Sequence, residues 1–165
     1  MNYKITIKKN PNPKYLFLDI DGVMNSFNDY KMSNEEFMKK LNKISFHLNP
    51  EKIKILNEIY LEYKPTIILS SYWRKRFSLK KINKIFKKSG FIGKISDKTT
   101  KKGEEHNDRW NQIQKYISQK NVKNYIILDD EHITRNQKVV PNFIKTDSYV
   151  GLKIKHLKEI EKIWN

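Results

Sequence analysis

The sequence predicts an α/β fold, a three-layer, doubly wound parallel sheet. Two observations carry this. Short apolar runs at Tyr15–Leu18, Thr66–Leu69 and Tyr125–Leu128 alternate with amphipathic helical segments. Runs that short and that continuously apolar suit strands covered on both faces. Each run also ends in polar residues: Asp19 and Asp21, Ser70 and Ser71, Asp129 and Asp130. The carboxyl ends of parallel strands lie along one edge of such a sheet, which is where open α/β folds place their ligands.

In chain order, Tyr3, Ile5 and Ile7 alternate with polar residues and suggest an edge strand, and Pro11 and Pro13 turn the chain into the first buried strand. After Gly22 the chain makes a polar excursion. Within it Ser33-Asn34-Glu35-Glu36 is a capping box, and Phe37, Leu41 and Ile44 continue at helical spacing, so a helix is expected over 34–44. Asn49-Pro50-Glu51 supplies an N-cap, a first-turn proline and a first-turn acid. The helix it starts carries Ile53, Leu56, Tyr60 and Tyr63 on one face and stops before Lys64-Pro65. A further helix carries Leu79, Ile82, Ile85 and Phe86, with Gly90 as its stop. Phe91 to Ile95 reads as a short third strand, and 96–107 as an exposed loop. Arg109 opens a helix with Trp110, Ile113 and Ile117 on one face. Phe143-Ile144 starts a last strand, and Leu157, Ile160 and Trp164 mark the final helix. No internal repeat and no linker divides the chain, so residues 1–165 are expected to form one domain, with 26–48 as a short insertion.

The 165 residues include 34 Lys plus Arg against 18 Asp plus Glu, a formal charge of +16. Such a field attracts polyanions. Lys, Asn and Ile are abundant and alanine is absent, as an AT-rich gene would give, so composition explains part of the lysine content. Cysteine is absent, which excludes disulfides, thiolate metal sites and thiol catalysis. No stretch approaches a membrane span and no signal-peptide core is evident, so a cytoplasmic protein with no membrane partner is expected. His47, His106, His132 and His156 show no metal-ligand spacing.

Chemistry concentrates at the strand ends. Two carboxylates one residue apart repel, and a divalent cation or a shared proton relieves the repulsion. Alone, Asp19-Ile20-Asp21-Gly22 would pass for a turn, Ser70-Ser71 for a helix cap, and Asp129-Asp130-Glu131 for helix-start acids. All three after short apolar runs are hard to dismiss together. Tyr72, Trp73, Arg74, Lys75 and Arg76 follow the serines directly. They read either as a platform for a nucleic-acid end, guanidinium to phosphate and ring to base, or as a core tryptophan with solvated cations.

LDIDGVMN, IILSSYWR, an arginine before an amphipathic helix, YIILDDE and TDSYVGL together resemble the haloacid dehalogenase (HAD) superfamily, and within it the HAD domain of RNA-repair (Swiss Army Knife) proteins. The resemblance covers roughly Tyr15 to Leu152. It implies a HAD-like Rossmannoid sheet in which 26–48 stands where a cap is inserted, here minimal; a plain surface excursion is the alternative. It implies a Mg²⁺-dependent phosphatase with Asp19 as nucleophile, Asp21 as general acid and base, and Ser70 as a phosphate ligand. The metal set would be Asp19, Asp21 (through its backbone), Asp130, and Asp129 as ligand or neighbour. The third-motif cation, a lysine in the superfamily, falls to Arg109, with Lys101 or Lys102 as alternatives. Ser71, Arg74, Gly22 and Asn25 are the candidate substrate-binding residues. The expected activity is removal of a terminal, 3′, phosphate from RNA or DNA during end repair, alongside a possible ligase or kinase partner. A mononucleotide or small-metabolite phosphatase and a non-catalytic nucleic-acid-binding module are the alternatives.

Overall fold

The computed structural model describes residues 12–29, 36, 39, 48–99, 108–131, 134–135 and 138–165. The edge strand at Tyr3–Ile7, the helix over 34–44 and most of the 26–48 insertion lie outside the described residues, as do Lys101 and Lys102.

Five strands form one parallel sheet: β1 (Lys14–Leu18), β2 (Thr66–Leu69), β3 (Ile95–Lys98), β4 (Asn124–Asp129) and β7 (Phe143–Lys145), in the order β3-β2-β1-β4-β7. A small antiparallel pair, β5 (Thr134–Arg135) and β6 (Lys138–Val139), lies between β4 and β7 in the chain. The helices are α1 (Pro50–Tyr63), α2 (Trp73–Arg76), α3 (Leu79–Lys88), α4 (Arg109–Lys120) and α5 (Lys155–Trp164). Alternation along β1 sorts the core. Leu16 and Leu18 join Ile53, Leu56, Ile82, Phe86, Ile160 and Trp164 on one face, so α1, α3 and α5 cover that side. Phe17 points the other way, to Ile113 and Tyr116 of α4. The two clusters on opposite faces make the expected three layers.

Local signals hold where they were read. The Asn49 side chain accepts hydrogen bonds from the N–H of Glu51 and Lys52, and α1 closes at Lys64 in a left-handed conformation. Ser78 and Asp108, not singled out from the sequence, cap α3 and α4 in the same way.

The third strand is displaced. It runs Ile95–Lys98, sharing only Ile95 with the expected Phe91 to Ile95, and takes its other residues from the expected loop. Phe91 instead leaves α3 through Gly90 (φ +95°), donates its N–H to the Phe86 carbonyl, and packs edge-on against Phe86 and Tyr60. The strand's polar residues are kept by distant partners. Tyr116 donates its hydroxyl to Asp97 at 3.1 Å, and Asn83 pairs with both backbone groups of Ile95.

The register does the functional work. Leu18 stands opposite both Leu69 and Leu128. The ladder continues one step further, with Ser70 N–H donating to Leu18 O, Asp19 N–H to Leu128 O and Thr146 N–H to Asp129 O. Asp19, Ser70, Asp129 and Thr146 therefore leave the sheet at one level.

Candidate active site

Asp19 sits at the tip of the central strand and is 2% exposed. Asp129 beside it, at the end of β4, is fully buried, and Asp130 follows half-buried. One carboxylate oxygen from each of Asp19, Asp129 and Asp130 lies within 4.8 Å of the others. Arg109, the first residue of α4, reaches into this group. Its Nη1 lies 2.7 Å from Asp19 Oδ2 and pairs with Asp129 Oδ2. Burial alone would lower the arginine's pKa, but Asp19 and Asp129 outweigh it and hold the guanidinium charged. Crowding acts oppositely on the acids. Burial, then the charge of Asp19, pushes Asp129 up to about 7 and Asp130 up to about 6.

Three carboxylates less one guanidinium leave two negative charges, the deficit that one divalent cation would balance. The donors are all oxygen, which suits a hard ion of the magnesium type. Asp19 Oδ1 is buried and has no hydrogen-bond partner among the described residues. A charged oxygen left so is costly, and a cation would relieve it. The residues present therefore fit such an ion.

Asp21 meets different company. Its Oδ1 accepts from Asn25 Nδ2 and its Oδ2 from Trp73 Nε1, each at 2.9 Å. Burial raises its pKa, with the neighbouring Asp19 charge adding to the rise, while the Asn25 and Trp73 donors pull against it. Its side chain is not in the three-carboxylate group.

Ser70 is fully buried, and its Oγ has no partner among the described residues. It stands one strand over from Asp19, at the same level. Satisfying a buried hydroxyl is worth about 1–3 kcal/mol, so Ser70 is open to a ligand oxygen.

Several candidate substrate contacts turn inward. Ser71 is fully buried, and its Oγ accepts from the Trp73 N–H at 3.3 Å, so it shapes the turn into α2. Arg74 is 8% exposed; it donates to the Ser70 and Ser71 carbonyls at 2.9 and 2.7 Å and to Gln112 Oε1. It braces the strand end rather than facing solvent, because those two carbonyls and Gln112 satisfy its fork. Asn25 is buried against Asp21. Gly22 (φ +76°) serves the backbone: a Cβ there would lie 2.2 Å from Asp130 Cγ, so only glycine lets the loop after β1 pass under Asp130. The Thr146 hydroxyl donates to the Gly22 carbonyl at 2.8 Å and fixes that approach.

Sequence reasoning missed two contributors. Trp73 lies in the core, as one of its two readings had it, but its indole N–H also reaches Asp21, 52 positions away. Lys98, in the expected loop, donates to the Arg74 carbonyl at 2.8 Å and steadies α2 from below. No local pattern marks either contact.

An all-parallel sheet with an acidic cluster at the tips of its central strands is the arrangement of Rossmann-like HAD hydrolases. The chain belongs to that superfamily: the family described as "HAD domain in Swiss Army Knife RNA repair proteins" matches residues 15–157. Membership makes it, in general class, a HAD phosphatase or hydrolase. Comparison with curated proteins and with solved structures gives no match. Among the described residues no helix is long and apolar enough to cross a membrane.

Proposed function

We propose that this protein is a Mg²⁺-dependent phosphomonoesterase that removes a 3′-phosphate from a nucleic-acid end through an aspartyl-phosphate on Asp19. The observation that carries the reading is the pair of buried oxygens without a partner among the described residues, Asp19 Oδ1 and Ser70 Oγ, on adjacent strand tips, with Arg109 against Asp19.

Asp19, Asp129 and Asp130, with the Asp21 backbone, would hold the ion, which when bound supplies charge neutralisation and orients the anions. A carboxylate oxygen of Asp19 attacks phosphorus, and the bond from phosphorus to the leaving oxygen breaks. Asp21, kept beside the nucleophile by Asn25 and Trp73, gives its proton to the leaving alkoxide. It then takes a proton from water, which attacks the aspartyl-phosphate, freeing phosphate and restoring Asp19. Ser70 and Arg109 stabilise the equatorial oxygens, over which the transition-state charge spreads.

Support for nucleic acid as substrate comes from the +16 charge, the family's RNA-repair members, and the exposed Tyr72 with Lys75 and Arg76 within 5.6 Å of its ring. Phosphate release with Mg²⁺ from a 3′-phosphorylated oligonucleotide, a 5′-phosphorylated one, a mononucleotide and an aryl phosphate tests the reading. Highest kcat/KM on the 3′-phosphorylated oligonucleotide is expected. Preference for the mononucleotide at physiological salt would overturn the nucleic-acid part. Salt-sensitive oligonucleotide binding without turnover of any substrate would overturn the phosphatase part.

A further inference from the structure

Beyond the acidic rim, two large aromatic side chains stand in water side by side. Phe27 is 60% exposed and Tyr149 63% exposed, yet their ring centroids are 5.5 Å apart. Single exposed apolar residues are ordinary, but a contacting pair beside a reaction centre is less so.

The backbone fixes this pair. The 147–151 turn is stitched to the segment after β1 by three bonds: Leu152 N–H to Val23 O at 2.8 Å, Phe27 N–H to Ser148 O at 3.1 Å and Asn28 N–H to Tyr149 O at 3.2 Å. Asp147 Oδ1 accepts from the Tyr149 N–H at 2.8 Å and sets the turn. Gly151 (φ +70°) lets the two segments close up, since a Cβ there would meet Val23 O at 2.7 Å. Beneath Phe27, Ser26 and Asp29 are held by the buried Lys52, and Asn49 donates to the other Asp29 oxygen.

The pair is tethered to the site from both sides. Phe27 lies two residues beyond Asn25, which holds Asp21, a reach of at most about 7 Å along the chain. Tyr149 lies three residues beyond Thr146, which is bonded to both Asp129 and Gly22, a reach of at most about 11 Å.

Resting on the proposed function, we propose that Phe27 and Tyr149 form a base-stacking platform that selects single-stranded nucleic-acid ends. The terminal base would lie on these rings while its phosphate enters the acidic rim. Stacking suits every base, because each has a π-face, so the platform would choose strandedness and leave sequence unread. The +16 charge gives the approaching strand its long-range attraction, which two aromatic rings cannot supply.

The test compares kcat/KM for a 3′-phosphorylated tetranucleotide with that for the same strand bearing an abasic terminal sugar. In the wild type, removing the base is expected to cost about 5- to 150-fold, the equivalent of about 1–3 kcal/mol of stacking. In Phe27→Leu/Tyr149→Leu that ratio is expected to fall close to one, while Phe27→Tyr and Tyr149→Phe, which keep the rings, retain it. Quenching of a terminal 2-aminopurine gives a parallel readout in binding, lost in the double leucine variant and kept in the ring-retaining ones. A double variant that keeps the wild-type ratio and quenching overturns the platform alone. A wild type that turns over aryl phosphate but no oligonucleotide overturns the nucleic-acid reading, and the platform with it.

Discussion

Asp19 and Asp21 are two residues apart at the end of one strand, yet the protein gives them opposite surroundings. Asp19 faces charge: Arg109 at 2.7 Å, with Asp129 and Asp130 in the same cluster. Asp21 faces neutral donors, the Asn25 amide and the Trp73 indole, and sits where burial dominates. A carboxylate held against a guanidinium, with its other oxygen buried and without a partner among the described residues, is placed for attack. A carboxylate in a drier pocket with a raised pKa can carry a proton to a leaving group. The contrast shows how one short motif yields two chemical roles: the sheet places the acids, and elements distant in the chain decide what each can do.

Substitutions can break that contrast in a graded way. Asp19→Asn is expected to abolish phosphate release, because it removes the attacking oxygen's charge while leaving the side-chain shape. Residual wild-type rates in that variant would remove Asp19 as nucleophile. Asp21→Asn should lower kcat by about 10²–10⁴-fold, the usual worth of proton transfer. Mg²⁺ affinity, measured by calorimetry, should stay near the wild-type value, since the Asp21 side chain lies outside the three-carboxylate group. Loss of metal binding in Asp21→Asn would place its carboxylate among the ligands after all.

Trp73→Phe keeps the ring in the core but deletes the donor to Asp21. A fall in kcat of roughly 10-fold with little change in KM is expected, comparable to about 1.4 kcal/mol for one lost hydrogen bond. A change in thermal stability with unchanged kcat would mark Trp73 as packing alone.

The acidic side of the comparison carries a pH signature. Asp129 and Asp130 titrate near 7 and 6, above the ordinary 3.8. Without metal, the folded state keeps protons that the unfolded chain has lost between about pH 4 and 7. These two groups therefore make stability fall as pH rises through that window. A bound divalent ion needs them deprotonated. Mg²⁺ should thus raise Tm most at pH 8 and hardly at all at pH 5, as thermal scans with and without the ion would read. An equal Tm increment at both values would contradict the cluster as a metal site.

Much of the fold was legible because its causes are local. Apolar runs marked β1, β2 and β4, and Asn49, Ser78 and Asp108 capped the helices the sequence placed after them. The third strand was not legible, since Phe91 spends its apolar surface on Tyr60 and Phe86 while Asp97 depends on Tyr116. The acidic tips were readable from their place after each run. Their partners were less so. Arg109 was found through family likeness, and Arg74 was read as outward because nothing in its neighbourhood foretells Gln112, 38 positions on. Side chains that meet across the sheet leave little trace in a single chain's order.

The most direct measurement is phosphate release from a 3′-phosphorylated oligonucleotide by the wild-type protein, once with Mg²⁺ and once with the ion chelated. Release with the ion and none without it is the expected result. Equal release in both conditions, or none in either, would contradict a magnesium-dependent phosphatase built on the tips of β1 and β4.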